Sequence, residues 1–168
     1  MKVYEMKLKI KLKKDIFLKD IATHITRFMD MNLSNNTEMY NYHSSKIYKE
    51  YSFDSLFPIE EDKIYKKDKE YFFRIRTINQ KIANYFLDTL MFFQNKDMEG
   101  LTLNIRVVEK KLIEKLYTIT PILMKTDEGY WQYSMTFEDF EKRLKINCLK
   151  KYLYFISQKA CIFKFLVL

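Results

Sequence analysis

Residues 3–13 alternate without a break. Tyr4, Met6, Leu8, Ile10 and Leu12 fall on one side, and Lys7, Lys9, Lys11 and Lys13 on the other. A period of two with a single apolar face specifies a half-buried strand. The next stretch changes period: Leu18, Ile21, Ala22, Ile25 and Met29 recur every three or four residues, which predicts an amphipathic helix ending near Leu33. Ser34, Asn35 and Asn36 read as a loop, and residues 46–57 as a second strand stopped by Pro58. After an acidic and then basic loop, residues 71–78 alternate again, with Tyr71, Phe73, Ile75 and Thr77 facing one way and Phe72, Arg74 and Arg76 the other. Asn79 is placed to cap a helix whose buried stripe is Ile82, Ala83, Phe86, Leu87 and Leu90. Gly100 punctuates, and residues 101–108 form a strand expected to bury Leu101, Leu103, Ile105 and Val107 while exposing Thr102, Asn104 and Arg106.

The order βαββαβ predicts an α+β, ferredoxin-like domain over residues 1–116, with both helices on one face of an antiparallel sheet. The other face is then open, and three strands place cations on it: Lys7, Lys9 and Lys11; Arg74 and Arg76; Arg106. Phe72 lies among them, where it either stacks on a base or sits under a covering segment. A formal net charge of +8 agrees in sign with a polyanionic partner. Convergence of like charge from three separate alternations points to RNA rather than to solvation alone.

Other classes are excluded by what the chain lacks. Its only glycines are Gly100 and Gly129, against about twelve in an average chain of this size, so a phosphate-cradling glycine loop is ruled out. Cys148 and Cys161 fit a reducing compartment, and His24 and His43 lack the companions a zinc site needs, so neither metal nor cofactor is expected. No stretch approaches the roughly 18 apolar residues of a membrane span, and the alternating start is unlike a signal peptide. A cytoplasmic location is the expectation. His24, on the flank of the first helical stripe, reads as structural.

Residues 117–168 predict less than a second domain. A strand over residues 116–126 leads to a turn at Asp127, Glu128 and Gly129, and Thr136 with Asp139 opens a helix over residues 137–155. That helix carries apolar side chains on two sides, Phe140, Leu144, Cys148 and Tyr152 on one and Ile146, Leu149 and Leu153 nearly opposite. The final CIFKFLVL is long enough for one strand. Such a half-domain exposes an apolar patch and a sheet edge, through which a dimer or a partner could form.

Three ordered blocks, YSFDSLFPIEEDKIYKKDKEYFFRIRT, YTITPILMKTDEGYW and FEKRLKINCLKKY, resemble the CRISPR-associated repeat-RNA-processing endoribonucleases of the RAMP superfamily. The resemblance runs from Met1 to about Tyr154. It implies two tandem ferredoxin-like domains, the second truncated here, and metal-independent cleavage of CRISPR repeat RNA to a 2′,3′-cyclic phosphate and a 5′-hydroxyl. The family's glycine-rich loop has no counterpart, and residues 157–168 do not resemble it. Carried over by position, His43 would be the catalytic histidine and Lys49, six residues on, the catalytic lysine, with Lys46 a competitor. Phe28 stands where some members have a helper tyrosine, leaving Tyr48, Tyr42 or Tyr51 for that role. The implied partners are repeat RNA and CRISPR effector subunits. The alternative is a catalytically inactive module that binds RNA or effector subunits and competes with a full-length relative.

Overall fold

In the computed structural model, which describes residues 2–108, 122 and 124–164 (backbone alone for 158–164), the opening alternation becomes β1 (Val3–Leu12). Its inner side chains Met6, Leu8, Ile10 and Leu12 are fully buried, each contributing about 2 kcal/mol relative to exposure. β2 (Ile16–Phe17) follows, then α1 (Ile21–Ser34), which adds Ile21, Ile25, Phe28, Met29 and Leu33 to the same core. α2 (Thr37–Ser44) comes next, then β3 (Tyr51–Phe53), β4 (Ile64–Tyr65) and β5 (Glu70–Thr77). α3 (Gln80–Thr89) buries Ile82, Ala83 and Phe86, and passes through a 3-10 turn at Leu90–Phe92 into β6 (Met98–Val108).

The main sheet is antiparallel in the order β3-β5-β1-β6, so the fold is a mixed α+β one. A small separate ladder pairs β2 with β4. Both helices contribute to the core on the Met6 side of β1, and Lys7 and Lys9 stand exposed on the other. Asn79 caps α3 as its position suggests, accepting hydrogen bonds from the N–H groups of Lys81 and Ile82.

Three expectations for this region need correction. Residues 46–57 hold only the short β3, and ahead of them Asn36 opens an additional helix, α2, by accepting from the N–H groups of Glu38 and Met39. Secondly, β6 begins before Gly100. There the chain runs so close to the 3-10 turn that a β-carbon on Gly100 would lie 1.9 Å from the Leu90 carbonyl oxygen. The Gly100 N–H instead donates to the Phe93 carbonyl at 2.9 Å. The third concerns the far end of β6, where Ile105 and Val107 were expected inside but are 40% and 49% exposed. Edge position leaves that end with β1 alone beside it among the described residues.

The chain divides into two compact units, Met1–Thr120 and Pro121–Leu168. In the second, β7 (Lys125–Thr126) and β8 (Gly129–Tyr130) form a hairpin whose Gly129 adopts φ 123°, a conformation that favours glycine. α4 (Trp131–Ser134) and α5 (Phe137–Lys164) follow. Thr136 caps α5 through the Asp139 N–H at 3.2 Å, and Trp131 stacks on Phe140 with ring centres 4.0 Å apart. The expected strand over residues 116–126 falls mostly outside the described residues. The last four residues of CIFKFLVL do too, whereas Cys161–Lys164 continue α5 rather than starting a strand. No glycine, proline or capping residue interrupts the helix there. Ile146, Leu149 and Leu153 on α5 are 50%, 50% and 61% exposed within their unit.

Gly100→Ala is expected to lower unfolding stability by about 3 kcal/mol, an overpacking penalty with backbone on both sides. Denaturant titration of the two proteins checks this; equal midpoints would refute the close approach.

Candidate nucleic-acid interface and histidine centres

Register sets which side chains share the open face. Lys7 stands opposite Arg74 and Asn104, Lys9 opposite Phe72 and Thr102, Lys11 opposite Glu70 and Glu99, and Glu5 between Arg76 and Arg106. The six expected cations therefore do lie on one side of the sheet, but five carboxylates accompany them, Glu5, Asp54, Asp68, Glu70 and Glu99. Glu5 receives Arg76 Nε at 2.7 Å and Arg106 Nε at 2.8 Å, one guanidinium from each neighbouring strand. Burial pushes its carboxyl up, yet the two guanidiniums outweigh this and hold it below its ordinary range. Arg74 donates to Asp54 at 2.7 Å, Lys9 pairs with Glu70 at 2.5 Å, and Lys11 reaches Asp68 at 3.9 Å. The positive field is real but smaller than a count of lysines and arginines suggests.

Lys7 differs from its neighbours. Its ammonium rests over the Phe72 ring, 3.7 Å from the centroid. Phe57 lies beside Phe72, ring centres 5.9 Å apart, because the two residues exchange backbone hydrogen bonds beyond the end of β3. Arg74 sits 5.3 Å from the Phe57 centroid. Phe72 is thus only partly exposed, within an aromatic pair flanked by cations. Its covering partner, Phe57, was not singled out in the sequence; alternation in residues 46–57 gave no hint of the bridge.

His43 lies in the last turn of α2. Its Nε2 is 3.5 Å from Asp30 Oδ1 on α1, and its Nδ1 is buried without a hydrogen-bond partner. Burial raises the Asp30 carboxyl above its usual range, an effect His43 opposes. Tyr51 completes this centre: burial, then the nearby Asp30 and Tyr42, push its hydroxyl up to about 12. It remains a proton donor at neutral pH. Asp30 was invisible to sequence reasoning because its contact with His43 depends on how α1 and α2 fold together.

Lys49 is already committed. Its ammonium donates to the Tyr42 and Ser45 carbonyls at 2.8 and 2.7 Å, holding the C-terminal end of α2 where a cation is favourable. Burial lowers its pKa. Tyr48 is 42% exposed, while Phe28 is wholly buried and edge-on to Phe93. Among the described residues no three His, Cys, Asp or Glu side chains converge as metal ligands, and no helix is long and apolar enough to cross a membrane.

The other histidine has the better-formed partner. His24 Nδ1 lies 2.6 Å from Asp97 Oδ2, and Asp97 is fully buried. Lys14 Nζ approaches Asp97 Oδ1 at 2.7 Å and Arg27 stands 3.6 Å from Oδ2. Burial raises the Asp97 carboxyl, but the hydrogen bonds from Lys14 and His24 prevail and depress it. A depressed carboxylate stabilises the fold above its unfolded-state pKa and loses that contribution as pH falls through the folded value.

Two outcomes follow. Lys49→Met is expected to lower stability by about 1 kcal/mol, the scale of a helix C-terminal cation, whereas a lysine serving only chemistry would leave the melt unchanged. Asp97→Asn is expected to destabilise the protein by about 3 kcal/mol at neutral pH and to flatten the loss of stability below about pH 4. Chemical denaturation across that range measures it, and an unchanged acid slope would refute the assignment.

Compared with protein-family models, curated proteins and solved structures, the chain matches none.

Proposed function

We propose that the chain is a ferredoxin-like RNA-binding protein and a metal-independent endoribonuclease acting on CRISPR repeat RNA. The strand order β3-β5-β1-β6 supports the fold reading: with the four strands of the main sheet counted in chain order it runs second, third, first, fourth, the arrangement of a split βαβ pair. The observation that carries the RNA reading is the open sheet face, where Lys7 of β1 and Arg74 of β5 flank the Phe57–Phe72 pair and Lys9 stands opposite Phe72. Charge tracks a backbone there and rings offer stacking surface.

In the cleavage step a base removes the 2′-OH proton and the 2′-oxygen attacks phosphorus. The 5′-oxygen then leaves with a proton from an acid, giving a 2′,3′-cyclic phosphate and a 5′-hydroxyl. In this reading His43 supplies one of these proton transfers, oriented by Asp30, and the Tyr51 hydroxyl, protonated at neutral pH, supplies a donor for the other oxygen or for the phosphate. Lys49 contributes by holding α2, and with it His43, in position.

One arrangement favours the second reading, a catalytically inactive module that binds RNA or effector subunits. The long contact of His43 Nε2 with Asp30 and the capping use of Lys49 leave the centre loosely assembled. The exposed Ile146, Leu149 and Leu153 on α5 would then serve a protein partner.

Purified protein incubated with repeat RNA in EDTA separates the two. Cleavage with cyclic-phosphate ends, abolished by His43→Ala with binding retained, is the expected result. Undiminished cutting by that variant would remove His43 from the chemistry, and binding without cutting would leave the inactive module. In the same assay Lys7→Ala is expected to reduce the slope of log affinity against log salt by about 1.

A further inference from the structure

We infer that Arg27, His24 and Lys14 form a separate phosphate-binding position, suited to a phosphodiester of an RNA strand, where the end of β1, the start of α1 and the segment before β6 meet. The RNA reading supplies only the source of the phosphate; the site itself rests on the geometry of these side chains.

Asp97 is the reason they gather. Its side chain is fully buried, and each of its oxygens has one close partner, Lys14 Nζ at 2.7 Å from Oδ1 and His24 Nδ1 at 2.6 Å from Oδ2. The Lys14 ammonium alone already matches its one negative charge. Arg27 is left over. At 3.6 Å it is beyond hydrogen-bond reach of the carboxylate, its side chain is 44% exposed, and it makes no hydrogen bond among the described residues. A guanidinium presents five N–H donors in a planar fork that fits a phosphate with two parallel bonds.

His24 lies three residues before Arg27, so the two share one side of α1. With Nδ1 turned to Asp97, its Nε2 has no hydrogen-bond partner among the described residues. That nitrogen is then the free edge of an imidazole held in one orientation by a buried carboxylate. A further donor is unmet nearby: Asn95 is buried with its Nδ2 unpaired, while its Oδ1 accepts from the N–H groups of Asp97 and Met98. Lys13 sits next in sequence but is occupied by Gln94 at 2.6 Å and lies 4.0 Å from Glu99. A latch serving stability alone would use Lys14 and His24 and have no work for Arg27.

The test uses the full chain labelled with ¹³C at histidine. Two imidazole signals are expected, since the chain has two histidines, and they are assigned with His24→Asn and His43→Asn. Inorganic phosphate is titrated first, then a short single-stranded RNA made uncleavable by 2′-methoxy groups, with binding of the RNA followed independently by fluorescence anisotropy. The expected result is that phosphate moves the His24 signal and not the His43 signal. Arg27→Ala should weaken that phosphate affinity about ten-fold, as for loss of one charge-assisted hydrogen bond. A His24 signal indifferent to phosphate, or responding equally in Arg27→Ala, overturns the site. RNA that binds by anisotropy without moving His24 overturns its use for RNA. A phosphate response without RNA binding upholds the site and sinks the RNA reading instead.

Discussion

The register of β1 is the constraint on which the rest of the molecule depends. It is one of the two inner strands and is paired along its length on both sides, and its side chains separate two environments one residue apart. A slip by one position would bring Lys7, Lys9 and Lys11 into the core and Met6, Leu8 and Ile10 into water. Glu5 reinforces the register laterally. Its carboxylate is fastened to Arg76 of one neighbour and Arg106 of the other, so three strands are pinned at a single level. Below it the helices close the apolar side; above it stand the cations of β1, β5 and β6.

Where local pattern and tertiary environment agreed, the fold was legible. β1 and β5 declared themselves through alternation, and α3 through Asn79 and its stripe, because each buries one side only. α2 was missed since its eight residues, TEMYNYHS, bury only Met39 and so show no helical periodicity. Its signal was the cap: Asn36, in the loop already recognised, faces the N–H groups that begin the helix. β6 deceived in the other direction. Its alternation is genuine, but periodicity reports which side a residue points to and says nothing of whether a neighbour covers it. α5 ran further than expected because a short apolar run does not distinguish strand from helix.

The candidate site was legible in one dimension only. Alternation placed the cations on one face but was read for one sign of charge, so Glu5, within the same strand, was passed over along with Asp54 across the sheet. His24 shows the deeper obstacle. Its partner Asp97 is 73 residues away, and Asp97 stands in a connecting segment where an acidic residue looks ordinary. Likewise Lys49 resembled a free cation, when two carbonyls at the end of α2 had already claimed it.

The clamp at Glu5 has a consequence for how the sheet meets an anion. Long basic side chains usually wander, and capturing a ligand means freezing them, an entropic cost that offsets much of the attraction. Arg76 and Arg106 are frozen beforehand by an internal carboxylate. An anion reaching this face would meet guanidiniums whose positions are already decided, and would be selected by where its charges are spaced more than by how many it carries.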